Sequence, residues 1–186
     1  PKNILNKQNV LLIFALINKF TENQQIVTFL LLILCKLTTP YSLSYMIFMN
    51  NELIQPTINL KKYFPISHIL YHIVLSAFHD DYKIEKKFST SILQSAQQTL
   101  QSESSFYENE LMYYEEVAYS LKLFAIFIKH SIYPISFNTN TLLANRHHYF
   151  DAPLIIQEAF LVFLYSYENI DVEILNEIIG FFVNEN

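Results

Sequence analysis

The chain has 186 residues, 52% hydrophobic and 16% aromatic, with a formal net charge of −5, one Gly, one Cys and no Trp. That size and apolar content suit one core-forming domain and exclude a disordered tail. Gly180 alone cannot build a phosphate-cradling loop, a dinucleotide turn or a nucleophile elbow, which argues against P-loop hydrolysis, a Rossmann cofactor site and an α/β-hydrolase; nor can it supply the hairpins of an all-β fold.

The first apolar runs are 10–20 and 26–37, separated by the polar TENQQ. Each falls short of the ~20 residues that span a bilayer, so they read as a buried antiparallel helix pair, with a membrane-surface role for 10–37 as the rival reading. Lys2 and Lys7 precede an apolar run as in a signal peptide, but no small-residue cleavage site follows, and a start at Pro1 fits a trimmed N-terminus. Thr21 and Gln24 form a capping-box pattern that ends one helix near Phe20 and starts the next near Glu22. Cys35, inside the second run, reads as a small buried hydrophobe, and a lone cysteine allows neither an internal disulfide nor a thiolate zinc site.

Residues 38–65 carry three prolines and fragmented apolar runs, which predicts one short helix near 43–49 and then loop. Ser67 can cap a helix through HILYHIVLSAFHDD. Another helix is expected from about residue 91. Ser105 and Glu108 form a second capping box, launching a helix to about residue 131, where Pro134 follows. PISFNTNTLLANRHHYF reads as a long irregular segment with at most a short helical turn or a small hairpin. Asp151 before Pro153 starts a helix to about residue 167, and a last one runs over about 171–183. The expected fold is all-α: an irregular single-domain bundle of about six to eight helices, with solenoid-like pairing as a variant. Residues 1–90 and 91–186 are candidate sub-bundles, and 121–130 and the N-terminal pair are the expected centre.

Charge divides unevenly. Residues 1–90 hold nine Lys against five acids, net +4, whereas 91–186 hold two Lys and Arg146 against twelve acids, net −9. An acidic second half can steer a basic partner or simply form a solvated outer face. Abundant Ile, Asn, Lys, Phe and Tyr beside scarce Gly, Arg and Trp suggests an A/T-rich coding bias, which weakens functional readings of composition.

Four constellations merit chemical weighing. His68, His72 and His79 fall within about 40° of one another around a helix. The first two could share a metal, but His79 lies about 10 Å further along the axis, and a polar stripe opposite Ile69, Leu70, Ile73, Val74 and Phe78 also accounts for them. RHHYFDAP gathers Arg146, His147, His148, Tyr149 and Asp151 beside a long loop, the kind of segment that carries interactions. Adjacent histidines on an extended backbone chelate poorly. Lys61, Lys62, Lys83, Lys86 and Lys87 make a modest basic patch, but a single Arg and net acidity count against nucleic acid.

In the helix from 105 to 131, Glu108, Glu115 and Lys122 share a polar stripe, while Phe106, Val117, Phe124 and Ile128 share the core stripe about 180° away. Glu116 flanks the polar stripe, and Glu110 projects into the core stripe, where it must reach solvent or a partner. No glycine loop, metal set or nucleophile–base pair emerges, and tyrosine is enriched at interfaces. The sequence therefore points to a cytoplasmic, non-enzymatic protein-binding protein without a cofactor. Its partner surface is expected to use Tyr107, Glu108, Tyr114, Glu115, Glu116, Arg146, His147, His148 and Tyr149. A small acidic helical protein of this kind fits an immunity-type neutraliser of a basic toxin domain or a helical subunit of a larger complex, and homo-oligomers are compatible with it. The competing class is a small helical enzyme or metal-binding protein using His147, His148 and Asp151 or His68 and His72.

Overall fold

Apolar residues in almost every direction beyond Leu121 predict a helix enclosed by others, and α4 (Glu110–Lys129) is that helix. The computed structural model describes residues 7–23, 25–27, 29, 30, 33, 58, 66–79, 86–102, 110–130, 139–167 and 170–184, and among these the regular elements are helical, with no strand. Before α4 come α1 (Lys7–Lys19), α2 (Ser67–His79) and α3 (Lys86–Gln101). After it come α5 (Thr139–Ala144), α6 (Arg146–Phe150), α7 (Leu154–Tyr165) and α8 (Val172–Asn184). The expected helix near 43–49, Cys35, Tyr107 and Glu108 lie outside the described residues.

Helix α4 packs against α7, α2 and α3, and its run from Leu123 to Ile128 is buried throughout. Phe124 and Phe127 of α4 and Phe160 and Phe163 of α7 are among the largest fully buried side chains. Phe150 of α6 meets Phe160 edge-on at 5.3 Å, and Phe78 of α2 meets Phe127 edge-on at 5.8 Å, the geometry the ring quadrupoles favour. Helix α2 contributes Ile69, Leu70, Ile73 and Val74, and α3 contributes Phe88, Ile92, Leu93 and Ala96.

The described part of the N-terminal pair is buried on one side only. Phe14, Ile17, Val27 and Leu30 point inward, but Leu11, Leu12 and Ile26 are exposed, and Phe29 is 66% exposed. A continuous apolar run conceals which side faces the core, and folded surfaces retain many apolar atoms. Among the described residues no helix is long and apolar enough to cross a membrane.

Helix ends show where local chemistry prevailed. Asn23, rather than Thr21, accepts the Ile26 N–H at 3.2 Å. Helix α3 begins five residues before the expected start, because Thr90 and Ser91 do not cap. Their hydroxyls donate back to the Lys86 and Lys87 carbonyls at 2.9 and 3.0 Å, continuing the helix. Pro153, with φ −55° and ψ 151°, is the N-cap of α7. Gln157 Nε2 donates to the carbonyls of Phe150 and Ala152, both at 2.9 Å, fastening the turn from α6 into α7.

The start of α2 is held from a distance. Glu116 of α4 is 1% exposed, a correction to its assignment as a partner-facing residue. One carboxylate oxygen accepts the Ser67 N–H at 2.5 Å and the other the Ser67 hydroxyl at 2.7 Å; Ser120 Oγ lies 3.1 Å from Ser67 Oγ. Ser67 thus uses its hydroxyl across the helix interface, and the acid on α4 caps α2. A helix N-terminus leaves N–H groups without partners inside the helix and carries the positive end of the dipole, so a carboxylate suits it. Buried there without these donors, Glu116 would be costly.

Glu116→Ala is therefore expected to lower the unfolding free energy by about 3 kcal/mol, read from urea denaturation, with Ser67→Ala losing less. Gly180 sits inside α8, and a Cβ there would meet no heavy atom within 4 Å beyond its chain neighbours and its own helix backbone. Gly180→Ala is expected to stabilise the chain by about 0.5–1 kcal/mol through helix propensity and a less flexible unfolded chain, seen as a higher denaturation midpoint.

Candidate functional site

Where the C-terminal end of α3, the first turns of α4, and the α6–α7 turn converge, a recess of about 600 Å³ opens. Leu100 of α3, Val117 of α4 and Ile156 of α7 give it an apolar floor. Tyr113, Tyr114 and Tyr149 supply aromatic walls, and Glu110, His148 and Asp151 supply polar groups. The fold thereby joins four residues singled out from sequence, Tyr114, His148, Tyr149 and Asp151, with Glu110. RHHYF is helical, not extended: α6 forms a short turn of helix against α7. Within it Tyr149 and Phe150 are buried, while His147 and His148 are exposed.

The helix projection put Glu110 in the core stripe; its place in the first turn of α4 instead leaves it exposed. It accepts a hydrogen bond from the Tyr114 hydroxyl one turn on, which raises the tyrosine's pKa above its ordinary value. Tyr113 donates its hydroxyl to the Ser102 carbonyl at 3.3 Å, tying α4 to the end of α3. Tyr149, at 5% exposure, packs its ring 4.7 Å from Phe160. Burial, reinforced by the nearby Tyr113, pushes its pKa up to about 12. Tyr149 is therefore a buried wall, which corrects its assignment to an open surface.

Arg146 is likewise committed within the chain. Its guanidinium forks onto the Glu177 carboxylate, Nη2 lying 2.7 Å from Oε1 with Nε paired to Oε2, and Nη1 donates to the Leu143 carbonyl at 3.2 Å. Both pKa values move in favour of the ion pair, with the hydrogen bond between the two side chains as the first cause. The one Arg thus clamps α6 to α8. Glu115 is exposed on α4, and with His147 it stands apart from the recess lining.

A second polar cluster lies between α2 and α4. His68 and His72 approach with their Nε2 atoms 2.7 Å apart. Two nitrogens on one tetrahedral metal would stand about 3.4 Å apart, so the contact is a hydrogen bond holding one proton. His72 Nδ1 is buried without a hydrogen-bond partner among the described residues. One ring donates from Nε2 and the other accepts, the direction depending on the tautomer. His68 stacks on Tyr119 at 4.3 Å and 20°, and Lys122 lies over the other partner of that stack, 5.0 Å from the Tyr119 ring centre. Burial and then Lys122 lower the pKa of His68; burial, His68 and Lys122 lower that of His72. The helix face expected to be a plain polar stripe is thus half-buried against α4. Among the described residues no group of three or more His, Cys, Asp or Glu side chains is placed to hold a metal ion.

Comparison with protein-family models, with curated proteins and with solved structures returned no match.

Because the folded-state pKa values of His68 and His72 lie below the ordinary histidine value of about 6.5, the unfolded chain takes up protons first as pH falls. Stability is expected to be fully present above pH 6.5 and to decline as pH falls below it toward the folded-state values. Urea denaturation across pH 5–8 reads this slope. Replacing both histidines by Phe should reduce it, leaving the contribution of His130, whose pKa burial and then Lys129 also lower.

Proposed function

We propose that this chain is a non-enzymatic protein-binding protein that engages a basic partner through the acidic, tyrosine-lined corner formed by α4, α6 and α7. The observation carrying this reading is the recess itself, which brings Glu110, Tyr114, His148 and Asp151 together over an apolar floor. Tyrosines with an apolar ring and a polar tip suit contact surfaces. Exposed Glu115 on the same helix and the net charge of −9 across 91–186 extend the acidic field around it. Such a field speeds encounter with a positive surface and makes it sensitive to salt. A basic toxin domain neutralised by this chain, or a basic neighbour in a larger complex, has the required chemistry.

The test is affinity capture from native lysate at low and high salt, with identification of the retained proteins. A basic protein retained at low salt, released by salt and lost on Glu110→Lys, Glu115→Lys and Asp151→Lys together is the expected result. Retention of the same partners by this charge-reversed variant, with its helical content unchanged, would overturn the reading.

A further inference from the structure

The recess has a chemistry narrower than a general acidic surface. Its floor is aliphatic, its walls are tyrosine rings, and two exposed carboxylates, Glu110 and Asp151, stand among its lining residues. Among the described residues no lysine or arginine lines it, so none of these supplies a built-in cation to its two acids. An apolar slot alone would take any hydrophobe. The carboxylates repel anions, and aromatic faces attract cations through their quadrupole. The volume of about 600 Å³ lies within the range of small-ligand sites. The ligand that meets all these demands has an aliphatic stem and a cationic head.

We propose that the recess is an anchor site for a single lysine or arginine side chain of a partner protein. The methylene stem lies along Leu100, Val117 and Ile156, and the charged head stands between the tyrosine rings and the two carboxylates. Long cationic side chains bury their stems on apolar surface while the head keeps polar company, which is the division of labour this lining offers. The Tyr114 hydroxyl already donates to Glu110, so this carboxylate is oriented before a ligand arrives. The proposal rests on the protein-binding reading above, but it commits to a chemistry that can be examined without the partner.

The experiment is an amide-detected NMR titration of the full chain with lysine blocked at both ends, with the norleucine analogue blocked in the same way, and with 1,5-diaminopentane. Blocked lysine is expected to shift amides of Tyr113, Tyr114 and Asp151 with a millimolar dissociation constant, the weak affinity of a lone side chain. The norleucine analogue, lacking only the ammonium group, should bind about fivefold more weakly. Glu110→Gln with Asp151→Asn should weaken lysine about fivefold, with circular dichroism verifying the fold. Equal binding of norleucine by the unaltered chain would overturn the cation assignment. Tighter binding of diaminopentane than of blocked lysine would assign the recess to free amines and overturn a protein side chain as its occupant. If no probe moves these amides the anchor site is wrong, while the salt-dependent capture above is judged by its own result.

Discussion

A carboxylate buried in a helical core demands donors, and that demand organises this molecule. Glu116 stands at the level where α4 enters the interior, and it is satisfied by the first N–H and the side chain of α2. One interaction therefore fixes the register between two helices that are 49 residues apart in the chain at this contact. Hydrophobic burial along Leu123–Ile128 is large but poorly directional, because an apolar surface tolerates sliding. The Glu116–Ser67 pair supplies the direction. Once α2 is placed, His68 and His72 must meet Tyr119 and Lys122, one turn and two turns beyond Glu116 on α4.

The same helix gives the recess its two characters. Its interior-facing Val117 contributes to the floor, while Glu110, Tyr113 and Tyr114 occupy the turns nearest solvent. Opposite them, the α6–α7 turn is held closed by Gln157, whose amide engages two carbonyls, so Tyr149 and Asp151 are presented from a fixed corner. Preorganised walls matter for weak, side-chain-sized ligands, since ordering mobile groups would consume much of their small binding free energy.

Helical class, the ends of α1 and α7, and the enclosed half of α4 were legible because each depends on nearby residues: apolar spacing, Pro153, the polar break after Phe20. The start of α3 was not, because Ser91 is chemically able either to cap a helix or to bond back to the previous turn. The choice is made by burial of Phe88 and Ser89. Glu116 was misread for a related reason. A projection of one helix assigns directions but does not show which neighbour fills each, and its donors come from a segment far back in the chain. Arg146 and Tyr149 were grouped with His148 and Asp151 by their closeness in the chain, but only Tyr149 joins them in the recess lining. Their inward or intramolecular roles depend on Glu177 and Phe160, partners that spacing along the chain does not reveal. Glu110 was the informative anomaly: an acid on an apolar stripe marked the place where the helix opens onto the recess.

Helix α8 is attached differently from the rest. Arg146 grips Glu177, Ile174 and Ile178 rest on the core, and Val172, Leu175, Ile179 and Val183 face outward. Detaching α8 does not require taking α4 apart, so local opening can occur at a free energy below that of global unfolding. A protease that cleaves such an opened segment reads the population of the open form rather than the strength of the core. For α8, that population depends on the guanidinium–carboxylate fork at the periphery together with the packing of Ile174 and Ile178, and not on how well the phenylalanines at the centre are packed.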